Sequence, residues 1–468
     1  MPNLTQEQII SKWKSEKIVV SICMLAFNHE DYIAEALEGV LAQDVDFGYE
    51  IIIHDDASTD ETAKFIRGYV SRYPKLIKPI YQSKNQWSRG INPSVFFNYP
   101  RVTGDYVAWC EGDDVWTSPS KLKIQIDIME QRRNIGLCFH LAEIKNCVDS
   151  SKGGHSFGAY ADASGLIDFD DVFLRRFGMI PTASCVVRRA VMERLAEFMA
   201  PRPYLTSGDV HMQTLGALEG GAYFVNEVML LYKFGSPSSL TKGILSDAEK
   251  NVNHHVSCIR GAISMWMNYF PHQSENTLKK VIYKRLIWLF LSDGRGVGLV
   301  EKLNISDLYA VYLRVERYFE GLRSRLAGQR VVLYGCGHEA VKIVNSMGAE
   351  NIEMIIDRDE LRVDGGFFGV PFGDFDKLRS FDGALLLVTT MFYDEQALLK
   401  RVSDCGSAIK NVVRIEDEIL NEIDVSAIWH GDVLIDRETV LASTARVPGW
   451  WVPQNGKTAL GESSREQV

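Results

Sequence analysis

The sequence predicts an α/β protein: a mostly parallel sheet flanked by helices, then a helical connector, then a second, smaller α/β domain. Three observations predict it. Between Ile18 and about Arg133, short apolar runs alternate with amphipathic stretches. From Asn251 to Arg325 helical periodicity dominates. After Gln329 a strand, a glycine turn and a helix open a second alternating pattern. The boundaries that follow are a lead over 1–17, a first domain over 18–240, the connector over 241–326, a second domain over 327–424 and an extension over 425–468 whose end is expected to fray. A chain of 468 residues is too long for one ordinary core, so several units are expected.

In order, "IVVSICMLAF" reads as a buried strand and "DYIAEALEGVLAQ" as a helix with Ile33, Leu37, Val40 and Leu41 on one face. Strand "YEIIIHD", helix "ETAKFIRGYVSRY", strand "KPIYQ", a polar loop and strand "DYVAWC" follow. In "TSPSKLKIQIDIMEQRR", Ser118 is suited to cap a helix and Pro119 to its first turn, with Leu122, Ile126 and Met129 facing inward. Strands "ASCVV" and "AYFVNEVMLLYKF" belong to a mixed stretch that closes the first domain. The connector contains "TLKKVIYKRLIWLFL" and "DLYAVYLRVERYFEGLRSRL". The second domain reads "QRVVLYGCGHEAVKIVNSMG", "IEMIID", "GALLLVTT" and "DEQALLKRVSDCG" in turn.

Composition narrows the class. With 46% hydrophobic and 24% charged residues the chain is of soluble globular type. A formal net charge of -10 argues against a general nucleic-acid binder. The opening "MPNLTQEQIISKWKSEK" is polar and has no apolar core of a signal peptide, so the cytoplasm is the expected compartment. The run "LIWLFL" is far too short to cross a bilayer, although the basic and apolar faces of its helix leave peripheral contact with the inner face of a membrane open beside simple packing. Eight scattered cysteines without a C-x-x-C pair read as free, mostly buried thiols.

The chemistry concentrates where strands end. In "CEGDDVW" three carboxylates, Glu111, Asp113 and Asp114, fall within four residues directly after a strand. At about 4 Å and an effective dielectric near 20, each like-charge pair disfavours the loop by roughly 4 kcal/mol, so the group must be solvated or share a cation. Asp55 and Asp56 close another strand. In open α/β sheets ligands bind beyond the carboxyl ends of strands, where both clusters fall.

Four segments, "VSICMLAFNHEDYIAEALEGVLAQ", "YEIIIHDDASTDET", "GDYVAWCEGDDVWTSPSKLKIQID" and "SGDVHMQTLGALEGGAYFVNEVMLLYKF", resemble in this order those of family 2 glycosyltransferases with the GT-A fold. The resemblance covers roughly Ile18 to Leu240. It implies an inverting transfer from a nucleoside diphosphate sugar, a UDP-sugar as the leading donor, to a hydroxyl of a glycan or lipid-linked acceptor in surface polysaccharide synthesis. It also implies Mg²⁺ or Mn²⁺ on the donor diphosphate, since a hard cation needs only a carboxylate or two besides phosphate oxygens. Glu111, Gly112 and Asp113 take the place of the family's D-x-D element, with Asp113 as metal ligand. Glu111 departs from the commoner Asp, which leaves ribose contact and water-mediated metal contact both open to it. Asp114 would contact the sugar or orient the loop, and Trp116 would stack on sugar or nucleotide, with packing as its commoner role.

For the base, Asp55 and Asp56 are expected to contact the nucleotide, because a carboxylate accepts from the N3–H of uracil or thymine; helix capping is the competing role. Ala26, Phe27 and Asn28 should form the opposite wall, with a core position equally open to Phe27, and Lys84 and Arg89 could meet phosphate oxygens or stand as solvated loop cations. Asp209 matches the family's catalytic base, with N-capping as its competing role. His54, His211 and the His254-His255 pair show no ligand pattern and read as structural.

In "YGCGHEA", Gly335, Gly337 and Ala340 give G-x-G-x-x-A between strand and helix, and Asp357 ends the next strand. The domain resembles a small Rossmann-type module for NAD(P) or another nucleotide, while Glu339 places negative charge where a pyrophosphate would lie. A purely structural role is equally open. A nucleotidyltransferase is a second functional class, but "LAFNHED" stands where such enzymes carry a Gly-rich basic loop. A nucleotide-sensing or scaffolding protein with an inactive transferase domain is the third.

Overall fold

A computed structural model describes residues 4–148, 154–202, 205–236, 243–244, 246–272, 275–290, 299–335, 338–356, 368–373, 384–389, 395–404 and 411–428. The chain runs through α1 (Gln6–Ile10), β1 (Ile18–Ala26), α2 (Ile33–Leu41), β2 (Gly48–Asp55), α3 (Thr62–Arg72), β3 (Ile77–Tyr81), β4 (Tyr106–Trp109), β5 (Val115–Trp116), α4 (Lys121–Gln131), β6 (Leu137–Asn146) and β7 (Ser156–Phe157). It continues with β8 (Gly165–Ile167), α5 (Phe169–Phe173), β9 (Val186–Arg188), α6 (Arg189–Met199), α7 (Gly208–Ala217), β10 (Ala222–Phe234), α8 (Ala248–Tyr269), α9 (Glu275–Phe290) and α10 (Ser306–Arg325). Last come β11 (Val331–Tyr334), α11 (His338–Met347), β12 (Ile352–Ile356), β13 (Phe372–Gly373), β14 (Leu385–Val388), α12 (Glu395–Asp404), β15 (Asn411–Arg414), α13 (Ile415–Asn421) and α14 (Val425–Ile428).

Two compact units emerge, the first holding residues up to Lys123 and Val186–Pro203, the second Ile124–Cys185 and the chain from Tyr204 onward to Val433. The first unit orders its strands β3-β2-β1-β4-β9. β1 runs parallel to β2 and β4, β2 parallel to β3, and β9 antiparallel to β4. Every residue of β2 is buried, as parallel strands covered on both faces require. α2 turns Ile33, Ala36, Leu37, Val40 and Leu41 inward, as its apolar spacing predicts. A π-helical turn at Ser94–Asn98 packs Phe97 on Ile52 and Ile80. Its Asn98 donates to the carbonyls of Met24 (3.2 Å) and Ile52 (3.4 Å), tying β1 to β2. Ala26 pairs in register with Asp55, so β1 and β2 end at the same edge.

Two local expectations are corrected. α4 starts at Lys121, after a turn in which the Lys121 N–H reaches the Ser118 carbonyl, so Ser118 and Pro119 precede the helix. Its face of Leu122, Ile126 and Met129 is buried as expected.

In the second unit β6 and β10 run parallel along their length, with β7 and β8 added antiparallel to β6 and β10 respectively. The long helices α8 and α9 pack together, and Leu278, Ile282, Leu286 and Leu289 of α9 are buried, so its apolar face is taken up within the protein. Among the described residues no helix is long and apolar enough to cross a membrane. A second, all-parallel sheet follows, ordered β13-β12-β11-β14-β15. Its core is Val332, Met354, Ile356, Leu386, Val388 and Leu398.

Candidate active site

The acidic loop is built as an extension of β1. Beyond β4, the Cys110 N–H donates to the Cys23 carbonyl (3.1 Å) and the Gly112 N–H to that of Leu25 (2.8 Å). The Asp114 N–H closes a turn on the Glu111 carbonyl (3.1 Å). Gly112 is dictated by this close approach, since a Cβ there would lie 2.7 Å from His29 Nδ1 and 3.0 Å from the Leu25 oxygen. Asp113 then sits with Oδ2 3.8 Å from His29 Nε2, its side chain 15% exposed. Asp114 is buried. The loop's negative field registers on Cys110, whose thiol is pushed well up by burial and further by Asp114 and Glu111, with Lys121 opposing.

Lys121 is fully buried, its Nζ 4.0 Å above the centre of the Trp116 ring. Trp116 is itself fully buried, with Val115 and the Trp116 backbone against Gly39. Of the two roles open to Trp116, a sugar contact and packing, this burial fits packing: the ring supports a buried cation.

At the end of β2 the two aspartates differ. Asp55 is buried and its Oδ1 accepts the Ser58 N–H (3.3 Å). Asp56 uses Oδ1 on the Gln86 N–H (2.7 Å) and Oδ2 on the Trp87 N–H (3.0 Å), with His54 Nε2 3.7 Å from Oδ1. Burial alone would raise its pKa, but His54 and the two backbone donors outweigh it and hold Asp56 below the ordinary carboxylate range. Neither aspartate caps α3, whose first N–H goes to Asp60 Oδ1 (3.0 Å). Asp56 therefore anchors the loop carrying Lys84 and Arg89. Lys84 and Arg89 are exposed, and Arg89 Nη1 donates to Gln86 Oε1 (3.2 Å).

The wall expected from Ala26, Phe27 and Asn28 is tied to the same edge. The Ala26 carbonyl accepts the Asp56 N–H (2.9 Å). Asn28 has φ 54°, donates its N–H to Ser58 Oγ (3.0 Å) and accepts the Thr59 N–H on Oδ1 (2.8 Å). Phe27 is half-buried beside them. His29, which the sequence did not single out, adds its N–H to Thr62 Oγ1 (2.7 Å). Its one legible signal was position: "NHED" directly follows a strand end.

In the second unit Asp209 lies in the first turn of α7, whose N-cap is Ser207; capping therefore does not occupy it. Its side chain is 41% exposed, with Oδ2 3.9 Å from Arg175 Nη2. His211, one turn away from Ser207, is buried, and that burial drives its pKa down to about 3, so it is neutral. His254 Nδ1 lies 3.0 Å from Ser207 Oγ.

No three His, Cys, Asp or Glu side chains converge as a ready-made cage among the described residues. A hard cation shared with a diphosphate does not require one, and Asp113 with Glu111 supplies oxygen donors of the right kind. In the second sheet Gly335 (φ 101°) makes the turn after β11, its carbonyl accepting from Thr389 Oγ1 (2.6 Å). Ala340 is buried in α11; Gly337 and Asp357 lie outside the described residues.

The Glycosyl transferase family 2 model matches residues 21–194. An uncharacterised protein of Mycobacterium tuberculosis is 41% identical over 121 residues, 26% of this chain and 34% of the relative. The putative glycosyltransferase EpsE of Bacillus subtilis is 34% identical over 115 residues, 25% of this chain and 40% of the relative. The dTDP-rhamnosyl transferase RfbG of Shigella flexneri is 29% identical over 156 residues, 30% of this chain and 50% of the relative. The alignments thus span a third to a half of these relatives. Among solved structures, S. aureus TarS 1-349 in complex with UDP-GlcNAc aligns with a TM-score of 0.47 at 14% identity, over 71% of this chain and 90% of that one.

Proposed function

We propose that the protein is an inverting, metal-dependent glycosyltransferase that moves a sugar from a nucleoside diphosphate sugar, a UDP-sugar as leading donor, to a hydroxyl of a glycan or lipid-linked acceptor. Surface polysaccharide synthesis in the cytoplasm, at the inner face of the membrane, is the setting of this reading, and similarity to the putative teichuronic acid biosynthesis glycosyltransferase TuaG of Bacillus subtilis supports the glycan acceptor. The observation that carries the reading is the acidic loop fastened to β1 so that Asp113 stays accessible beside His29.

Asp113, with Glu111 behind it, would hold Mg²⁺ or Mn²⁺, which when bound neutralises charge on the leaving diphosphate. The end of β2 receives the base, with Asp55 as the acceptor for an imide N–H; uracil and thymine share that donor. Asp209 takes the proton from the acceptor hydroxyl as its oxygen bonds to C1, while the C1–O bond breaks and its electron pair leaves with the diphosphate. A single displacement needs this one base. Arg175, with Nη2 3.9 Å from Asp209 Oδ2, orients the carboxylate.

The test is hydrolysis and transfer with a panel of UDP-, dTDP- and GDP-sugars in Mn²⁺, with EDTA as control. Turnover of a UDP-sugar that EDTA stops and Asp113→Asn abolishes is the expected result. Full activity of Asp113→Asn in saturating Mn²⁺ would reject the metal assignment, and turnover of no donor would reject the enzyme.

A further inference from the structure

The proposed chemistry leaves one cleft of the second unit without a role. Its volume is about 450 Å³, within the roughly 300–1,000 Å³ usual for small-molecule sites. One wall is a sheet face. Tyr232 pairs in register with Ile144 and Phe157 with Ala142, so strand alternation puts Phe157, Ile144, Tyr232 and Phe234 on the same side of β7, β6 and β10. The rings of Phe157 and Tyr232 meet with centroids 5.3 Å apart.

A second wall comes from residues 177–179. Phe177 and Met179 line the cleft and are 49% and 56% exposed, so with the sheet face they form a contiguous apolar surface of the kind that marks a binding groove. This wall is held in place. The buried Tyr160 donates its hydroxyl proton to the Gly178 carbonyl (2.9 Å) and sets its ring edge-on to Phe177, with centroids 5.5 Å apart. The Arg176 guanidinium lies 5.7 Å from the Phe177 ring and pairs with Asp171 (3.1 Å). Gly178 has φ 106°, a backbone conformation that favours glycine.

One side chain joins this wall to the proposed base. The buried Gln213 of α7 accepts on Oε1 from Arg175 Nη2 (3.0 Å) and donates through Nε2 to the Ile180 carbonyl (3.2 Å), clamping both ends of 175–180 to the helix that carries Asp209. Arg175 Nη2 stands 3.9 Å from Asp209 Oδ2. Arg175 and Phe177 are two residues apart, so their Cα atoms are separated by at most about 7 Å.

The lining selects the occupant. Among the described residues that line the cleft none is charged, and Ser156 and Tyr232 bring the side-chain hydroxyls. A phosphate or carboxylate would leave water there without gaining a cation, and a sugar ring would bury more hydroxyls than this lining can match. A hydrocarbon chain has no polar group to strand and gains from leaving water.

We propose that this cleft binds a hydrocarbon chain carried by the acceptor. This rests on the transferase reading and deepens it: the acceptor is lipid-linked, its chain lodged between the sheet face and Phe177 and Met179 while its hydroxyl is presented to Asp209. Phe177 and Met179 are specificity determinants, not catalytic residues.

Titration calorimetry of the full chain with dodecyl maltoside below its micelle concentration, set beside maltose, tests the proposal; the two probes share a head group and differ in the chain. The expected result is dodecyl maltoside binding with a negative heat-capacity change and no binding of maltose. Phe177→Ser and Met179→Ser should each weaken that binding at least about fivefold. Both side chains are half exposed, so melting temperatures should stay close to that of the wild type, and either variant alone carries the test if the other fails to fold. Leu166→Ser removes an equally exposed apolar side chain, 58% exposed, that does not line the cleft, and it should leave binding unchanged. No binding by the wild type, equal binding by the two cleft variants, or equal weakening by Leu166→Ser overturns the proposal, and maltose binding that the cleft variants weaken overturns the hydrocarbon assignment. Because the titration contains neither donor nor metal, its failure is separable from failure of donor turnover.

Discussion

His29 Nε2 stands 3.8 Å from Asp113 Oδ2, and Gly112 is the residue that lets the two approach. A methyl group at Gly112 would press on His29 Nδ1, Ile33 and the Leu25 carbonyl at once, and the last is backbone that cannot swing aside. Gly112→Ala is therefore expected to shift the acidic loop, destabilise the fold by about 1–3 kcal/mol and weaken Mn²⁺-dependent nucleotide binding about tenfold. Melting curves with and without UDP and Mn²⁺ check both effects; wild-type behaviour in both would show that the loop has slack.

Asp56 belongs to loop architecture. Replacing it with Ala leaves the N–H groups of Gln86 and Trp87 without their carboxylate, and charge-assisted bonds of this kind contribute about 1.5–3 kcal/mol. Asp56→Ala should lower stability to urea by that order and speed tryptic cleavage after Lys84 and Arg89. Unchanged cleavage would mean that other contacts suffice to hold the loop.

Parts of this arrangement were legible in sequence. β1 and β2 are buried on both faces, so they read as unbroken apolar runs, and the acidic loop stood out because a strand precedes it and a helix follows. Trp116 was open between a sugar contact and packing, since only the fold reveals that Lys121 is buried over its ring. Asp56 was open between nucleotide contact and capping because its partners Gln86 and Trp87 lie in a loop that local pattern does not connect to β2. Arg175 carried no signal: it reaches Asp209 from a distant segment, a relationship that periodicity cannot express.

Acid should loosen the first unit through Glu50. This carboxylate is buried and accepts from Ser21 Oγ (2.6 Å), the Thr103 N–H (2.9 Å), Thr103 Oγ1 (2.7 Å) and Lys78. Burial works to raise its pKa, but these donors prevail and keep it below the ordinary value of 4.5. A depressed folded pKa stabilises fully above the unfolded value, and the benefit fades as pH falls through the folded one. Urea midpoints at pH 7, 5, 4 and 3 should decline below about pH 4.5 in the wild type and less steeply in Glu50→Gln. Parallel declines would assign the acid sensitivity to other carboxylates, Asp56 first.

Asp209 offers a separation of chemistry from stability. Ser207 holds the N-cap position of α7, the Asp209 side chain is 41% exposed, and its ion pair with Arg175 at 3.9 Å is of the kind that contributes about 0–1 kcal/mol. Asp209→Asn keeps size and shape while removing the ability to accept a proton, so its melting temperature should stay close to that of the wild type. If Asp209 is the base, kcat for transfer should fall about 10²–10⁴-fold with little change in donor KM, since the donor is bound before the proton moves. Asp209→Glu, which restores a carboxylate at a displaced position, should recover part of the lost rate. A variant equally stable and equally fast would transfer the role of base to another group, whereas loss of rate together with loss of fold would return Asp209 to a structural part in α7.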